Sequence, residues 1–346
     1  MFFNFGKNPI IEDEQQMLLK EKIYRPRKYF ELDNFRERFR LDKTLFEQLL
    51  CEIGNSLKPV VATNHALSAQ DKLLAALRFY ATGSIYGVLG DAHGPSRASI
   101  GRAIQQVTRV INLYLFQRIV AYPENFDNTA TGFFEKGGIP SIFGCIDGTL
   151  IKILAPHNFE DQFVDRKNDH SLNIMIVCGP NLKFYDASVR WPGSVHDSRV
   201  FRNSHLFQNL SNGWRPFPGA VLLGDSGYPL RDYLLTPITN PQNNSEQKYN
   251  NSHKKTRRLI ECAIGVLKES FRCLKRLQVK EPMFAAEIIK ACLTLHNYRT
   301  TATTEITENE EEEENNENYS EENNEENDLE GNNERQKGLT KLRQIT

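Results

Sequence analysis

The chain has 346 residues, 39% of them hydrophobic, enough for one large or two ordinary domains around a substantial core. No apolar run approaches the ~18 residues that span a bilayer, and the opening MFFNFGKNPIIEDEQQ lacks the order of a secretory signal, so the expected residence is the nucleus or the cytosol, with no membrane. Six cysteines (Cys51, Cys145, Cys178, Cys262, Cys273, Cys292) include no CxxC pair, which excludes a zinc finger or a disulfide framework. The 44 acidic and 43 basic residues nearly cancel, but residues 301–346 hold 15 acidic and 4 basic ones, leaving 29 acidic and 39 basic in residues 1–300. A basic body points to a polyanionic partner such as DNA.

Residues 1–34 read as an N-terminal extension. From Phe35 to Leu57 apolar residues fall at helical spacing, with Asp42 placed as an N-cap. Ser68 caps a second helix that closes at Gly83. A short helix, a turn at His93-Gly94 and a longer helix opened by Pro95 or Ser96 follow. Residues 35–125 are thus expected to form a small helical, helix-turn-helix-like domain. Arg97 and Arg102 sit early on its second helix, where base or phosphate contacts lie.

From Pro140 the period changes. SIFGCIDGTLIKILAP, LNIMIVCGPN and KFYDASVRWPG are β-rich runs separated by Gly, Pro and Asn, which predicts a three-stranded meander. SVHDSRVFRNSHLFQNL reads as a helix, VLLGDSGYP as a fourth strand, and an Asn-rich loop follows RDYLLTP. Helices over roughly Lys255 to Leu274 and Pro282 to Tyr298 complete the body. Three strands, a helix, a strand and then helices is the order of a ribonuclease H-like α/β core, placed at 140–300. The Glu- and Asn-rich segment 301–346 cannot bury enough surface to offset its ordering entropy and is expected to be a disordered acidic tail.

Four acids fall at element ends in this outline: Asp147 in the first strand, Asp197 in the helix after the third, Asp225 after the fourth, and Glu261 in the long helix. If strands one and four are neighbours and the long helix crosses their edge, Asp147, Asp225 and Glu261 converge. Carboxylates so crowded repel one another unless a divalent metal sits among them, and an all-oxygen donor set favours Mg²⁺, with Mn²⁺ as a substitute. Arg257, Glu261 and Lys268 lie at spacings of four and seven, on one helix face, a carboxylate flanked by two cations that suits metal binding beside a DNA phosphate backbone. Asp197 is either a further metal ligand or a support for one. Lys152 and Arg166 are candidate phosphate contacts.

The runs GCIDGTLIKI, RKNDHSLNIMIVC, WPGSVHDSRVF, LLGDSGYPLRDYLLTP, RRLIECAIGVLK and CLTLHN resemble, in order, the PIF/Harbinger transposases and the nucleases derived from them. The resemblance covers roughly residues 35–300. It implies a catalytic DDE set at Asp147, Asp225 and Glu261, with Asp197 also among the metal-binding acids. Thirty-five residues intervene between Asp225 and Glu261, the interval familiar in DDE enzymes. The Arg257, Glu261, Lys268 spacing is similar to a signature of bacterial insertion-sequence transposases, although Lys254 stands where those carry tyrosine. The resemblance further implies nuclear action with a separate Myb/SANT-like DNA-binding partner.

The function expected is a metal-dependent DNA endonuclease of transposase ancestry. The alternative is a domesticated DNA-binding or scaffold protein without turnover. A phosphatase on another α/β fold has no phosphate loop or nucleophile motif to support it. Homo-oligomerisation is left open by the sequence.

Overall fold

The structure, a computed structural model, describes residues 32–59 and 66–301. The acidic tail, apart from Thr301, and most of the N-terminal extension lie outside the described residues.

The helical layer comes first: α1 (Phe35–Phe39), α2 (Lys43–Leu57), α3 (Ala69–Thr82), α4 (Tyr86–His93) and α5 (Arg97–Ile111). Asp42, Ser68 and Ser96 each accept a hydrogen bond from the backbone N–H three residues on, so these three starts form where expected. The expected single run from Phe35 to Leu57 is broken by Arg40, whose left-handed φ of 65° ends α1 before Asp42 restarts the chain as α2. Helix α5 continues through a π-helical stretch, Asn112–Phe116. A further helix not read from the sequence, α6 (Asp127–Gly137), leads into the sheet.

The sheet has five strands in the order β3-β2-β1-β4-β5. Strands β1 (Ile142–Lys152), β2 (Ser171–Cys178) and β3 (Phe184–Pro192) form the expected antiparallel meander. Every residue of β2 is buried, as a central strand covered on both faces requires. Between β3 and β4 the single expected helix is two, α7 (Asp197–Arg202) and α8 (His205–Ser211), because Ser204 caps a new start by accepting from Phe207 N–H at 3.1 Å. Strand β4 (Val221–Leu223) runs parallel to β1, and β5 (Leu234–Leu235), within RDYLLTP, adds an edge.

Helix α9 (Asn244–Ser270) begins well before the expected Lys255. The Asn-rich stretch read as a loop is its first turns. Asn243 accepts from Glu246 N–H at 2.9 Å, and the Glu246 carboxylate reaches back to Gln242 N–H at 2.6 Å, a reciprocal cap that offsets the poor helix propensity of asparagine. The helix also ends earlier than expected: Arg272–Lys275 is a separate 3-10 turn. Its buried residues His253, Thr256, Ile260, Ala263 and Leu267 recur every three or four positions, one stripe laid on the sheet. A last helix, α10, spans 282–301. One apolar core runs from Phe35 through the strands to Leu295, so the helical layer and the sheet are packed together. This mixed sheet flanked by helices is consistent with a ribonuclease H-like core.

Candidate active site

Register brings the first two acids level. Strands β1 and β4 run parallel with Cys145 opposite Leu223, and Asp147 and Asp225 each lie two residues further on. Asp225 has left the strand, and its Oδ1 accepts from Gly227 N–H at 2.9 Å, the turn that ends β4. Asp147 is still inside β1 and is only 15% exposed at its side chain.

The third acid is pressed onto the same place. Asp197 is the first residue of α7, and a Cβ on Gly148 would come within 2.1 Å of its Oδ1. Only a glycine next to Asp147 leaves room for that carboxylate. Asn173 on β2 fixes it, donating from Nδ2 to Asp197 Oδ1 at 2.7 Å and to Val195 O at 2.7 Å. Gly148 and Asn173 are site residues that the sequence reading missed. For Gly148 a signal existed, since a glycine inside a strand often marks a close approach. An asparagine in an apolar strand is a weaker one.

Helix α9 supplies cations. Arg257 follows the buried Thr256 and Lys268 follows the buried Leu267, so both emerge at the edge of the core stripe, toward β1. Arg257 Nη2 donates to Asp147 Oδ2 at 2.9 Å, while its Nη1 lies 3.6 Å from Glu261 Oε1. The guanidinium therefore stands between two members of the expected catalytic set. Lys268 Nζ donates to Thr149 Oγ1 at 2.7 Å and to Leu150 O at 3.1 Å, and its burial lowers its pKa. Glu261 itself is 60% exposed at its side chain.

Burial pushes the Asp147 carboxyl up to about 6; Arg257 and the Gly148 amide pull it down, and the charges of Asp225 and Asp197 push it further up. The charges of Asp225 and Asp197 thus act on Asp147. Tyr228, from the turn after Asp225, has a phenol raised well above its usual value by burial, with Asp197, Asp147 and Asp225 adding to the effect. Around these acids Tyr228 Oη, Asn173 Oδ1, Trp191 Nε1 and Arg257 Nε are buried without a hydrogen-bond partner.

A cavity of about 300 Å³ adjoins the acids, lined by Gly148, Thr149, Asn173, the Gly193–Asp197 turn, and the cations Arg166, Lys167 and Lys268. Asp197 is the acid it shares with the cluster; Asp147, Asp225 and Glu261 are outside its lining. Of the residues expected to meet DNA, Arg166 and Lys268 line this cavity, and Arg257 stands outside its lining, at Asp147. Lys152 is elsewhere: it lies further along β1, paired with Asp169 at 2.6 Å. Arg97 and Arg102 are exposed at the start of α5 and line neither this cavity nor the surroundings of Lys152.

The donor chemistry suits a hard divalent cation, since the acids offer only oxygen and the buried Asn173 Oδ1 beside Asp197 is an unpartnered oxygen as well. The geometry is not closed around one. Among the described residues no three His, Cys, Asp or Glu side chains form a group ready to hold a metal, and Arg257 occupies the space between Asp147 and Glu261.

A profile of the DDE superfamily endonucleases matches residues 146–297, which include all four acids. Over 299 residues the chain is 31% identical to human HARBI1, whose name carries the word nuclease; the alignment takes in 84% of this chain and 85% of that protein. The HARBI1 protein of Xenopus laevis is 28% identical over 306 residues, covering 84% of this chain and 86% of its own. An ALP1-like protein of Arabidopsis thaliana is 24% identical over 283 residues, covering 76% and 70%. No solved structure matches. With the profile spanning all four acids and the likeness to HARBI1 extending over most of its length, the chain belongs to the PIF/Harbinger transposase-derived DDE nuclease family.

Proposed function

We propose that the protein is a metal-dependent DNA endonuclease with a ribonuclease H-like core, in which Asp147, Asp225 and Glu261, assisted by Asp197, hold Mg²⁺ or Mn²⁺. The observation that carries the reading is the level placing of Asp147, inside β1, and Asp225, just past the end of its parallel neighbour β4, with Asp197 seated against Gly148. Such a cluster is costly to stability, and a bound divalent ion offsets the cost. When bound, the metal supplies activation of water and charge neutralisation at the leaving 3′ oxygen of a phosphodiester.

The side chains divide the remaining work. Asn173 orients Asp197 through its 2.7 Å bond, keeping one oxygen aimed at the cluster. Arg257 balances Asp147 in the metal-free protein. On metal binding it is the group that must yield its hold on Asp147 and Glu261, and a DNA phosphate is the partner of matching shape and charge to receive it. Arg166, Lys167 and Lys268 line the cavity beside Asp197 and give the DNA backbone a positive wall. The reaction takes place in the nucleus, and a Myb/SANT-like partner supplies sequence recognition; both rest on the family resemblance.

One observation favours a second reading, a DNA-binding protein without turnover: the acids do not form a closed metal-holding group among the described residues. Cleavage of supercoiled plasmid separates the two. The nuclease reading expects nicking with Mg²⁺ or Mn²⁺ that EDTA abolishes and that Asp147→Asn and Asp225→Asn each remove. DNA binding without cutting, with the partner protein and terminal-repeat DNA supplied, would replace it with the second.

A further inference from the structure

Strand β1 does not stop mattering at the acids. Past Lys152 its continuation is laddered on both sides: Leu277 N–H donates to Lys152 O at 2.8 Å, Leu154 N–H to Val279 O at 3.1 Å, and Ile153 N–H to His170 O at 2.8 Å. Three extended segments thus prolong one end of the sheet. Within 276–280 the residues alternate. Leu277 and Val279 are buried, while Arg276, Gln278 and Lys280 are exposed. The alternation that anchors this segment in the core therefore sets two cations on one outward face.

Arg276 and Lys280, with Lys152, border a cavity of about 450 Å³ that is separate from the one beside Asp197. Asp169, the one acid in its lining, is taken up by Lys152. Arg276 and Lys280 have no acidic partner among the described residues. The two cavities share a wall. Buried Asp165 accepts from Lys167 N–H at 2.8 Å, Asp169 N–H at 3.2 Å and Ser171 Oγ–H at 2.8 Å. The loop so pinned turns Arg166 and Lys167 to the first cavity and Asn168 to His170 to the second.

We infer that this second cavity is a DNA-phosphate site, in which Arg276 and Lys280 hold the backbone of the duplex whose cleaved phosphate lies at the acids. The inference rests on the nuclease reading and extends it to a grip away from the chemistry. Asp147 and Lys152 are five residues apart on one strand, roughly 17 Å at strand rise.

The test is binding of the full-length protein to a 30-base-pair duplex in EDTA across a salt series. The double variant Arg276→Gln/Lys280→Gln should bind several-fold more weakly at low salt, and its slope of log K against log salt should be shallower by about 1 to 2, about one unit for each phosphate it no longer neutralises. Arg276→Lys/Lys280→Arg should keep both, and Asp225→Asn should keep the slope while losing stabilisation by Mn²⁺. Melting temperature and Mn²⁺ response should be unchanged in the double Gln variant, because both residues are exposed and outside the acid cluster. Wild-type affinity and slope in the double Gln variant would overturn the second site while leaving the nuclease intact. Failure of the wild type to bind DNA at all would overturn the DNA reading and the second site with it.

Discussion

In the helical layer three of the helix starts are capped by their own side chains, and Phe35, Phe39 and Phe46 close into an aromatic cluster with almost no exposure. Where the middle of β1 passes the end of β4 like charges are packed together instead, a glycine is held where a carboxylate leaves no room for a side chain, and buried polar atoms go unpartnered. Both regions belong to one chain and abut one sheet. The contrast shows where the molecule's stability resides and where stability has been given up, and the second place is where chemistry is to be sought.

Substitutions should therefore sort by region. Phe46→Ala, which opens a hole in a fully buried aromatic cluster, should cost about 3–5 kcal/mol in denaturant unfolding while leaving the increment in melting temperature on adding Mn²⁺ unchanged. If that increment vanished as well, the two regions would not be separable.

Acid should act on the packed region through His296. Its Nε2–H donates to Leu182 O at 3.0 Å, its Nδ1 is buried without a partner, and burial drives its pKa down to about 4. The ring is neutral in the folded protein and protonates below pH ~6.5 in the unfolded chain, so its stabilisation is complete above that pH and is lost as the pH falls toward about 4. The loss should approach 3 kcal/mol, at about 1.4 kcal/mol per pH unit. Stability curves of wild type and His296→Gln between pH 7 and 4 should diverge in slope, with the variant flatter; parallel curves would contradict the assignment.

Arg257 sharpens the comparison because it belongs to the cleft yet supports the fold. Arg257→Gln strands the Asp147 carboxylate beside Asp225 and Asp197 and should lower the metal-free stability by about 2–3 kcal/mol. The same change should enlarge the Mn²⁺-induced stabilisation, since the resident cation no longer competes. An equal or smaller metal response would show that Arg257 organises the acids for metal instead of standing in for one. The smallest expected effect is Ser68→Ala, about 1 kcal/mol from removal of the cap on α3 and no change in metal response, read by the same melts.

Much of the packed region was legible in the sequence, since helical spacing and the caps Asp42, Ser68 and Ser96 are local signals. The order of the strands and the placing of Asp197 and Asp225 at element ends were legible too, because Gly and Pro punctuate the runs, whereas Asp147, expected at an end, lies inside β1. The first turns of α9 were not, since Asn-rich composition argues for a loop until the Asn243 side chain is seen to accept from Glu246 N–H and the Glu246 carboxylate from Gln242 N–H. Strand β5 is two residues long and exists only because β4 lies beside it. The hold of Gly148 and Asn173 on Asp197, and the position of Arg257 between Asp147 and Glu261, depend on three elements meeting, which no local pattern encodes.

The claim that the acids form a metal site is tested most directly by titrating Mn²⁺ into the purified protein and following both bound metal by electron paramagnetic resonance and the melting temperature, for wild type, Asp225→Asn and Gly148→Ala. A metal site built from these acids requires saturable binding with a rise in melting temperature for the wild type, and loss of both in Asp225→Asn, whose metal-free melting temperature is no lower than wild type because a like charge has been removed. The same loss is expected in Gly148→Ala, where the added methyl would displace Asp197. Saturable binding with an undiminished response in both variants would contradict it.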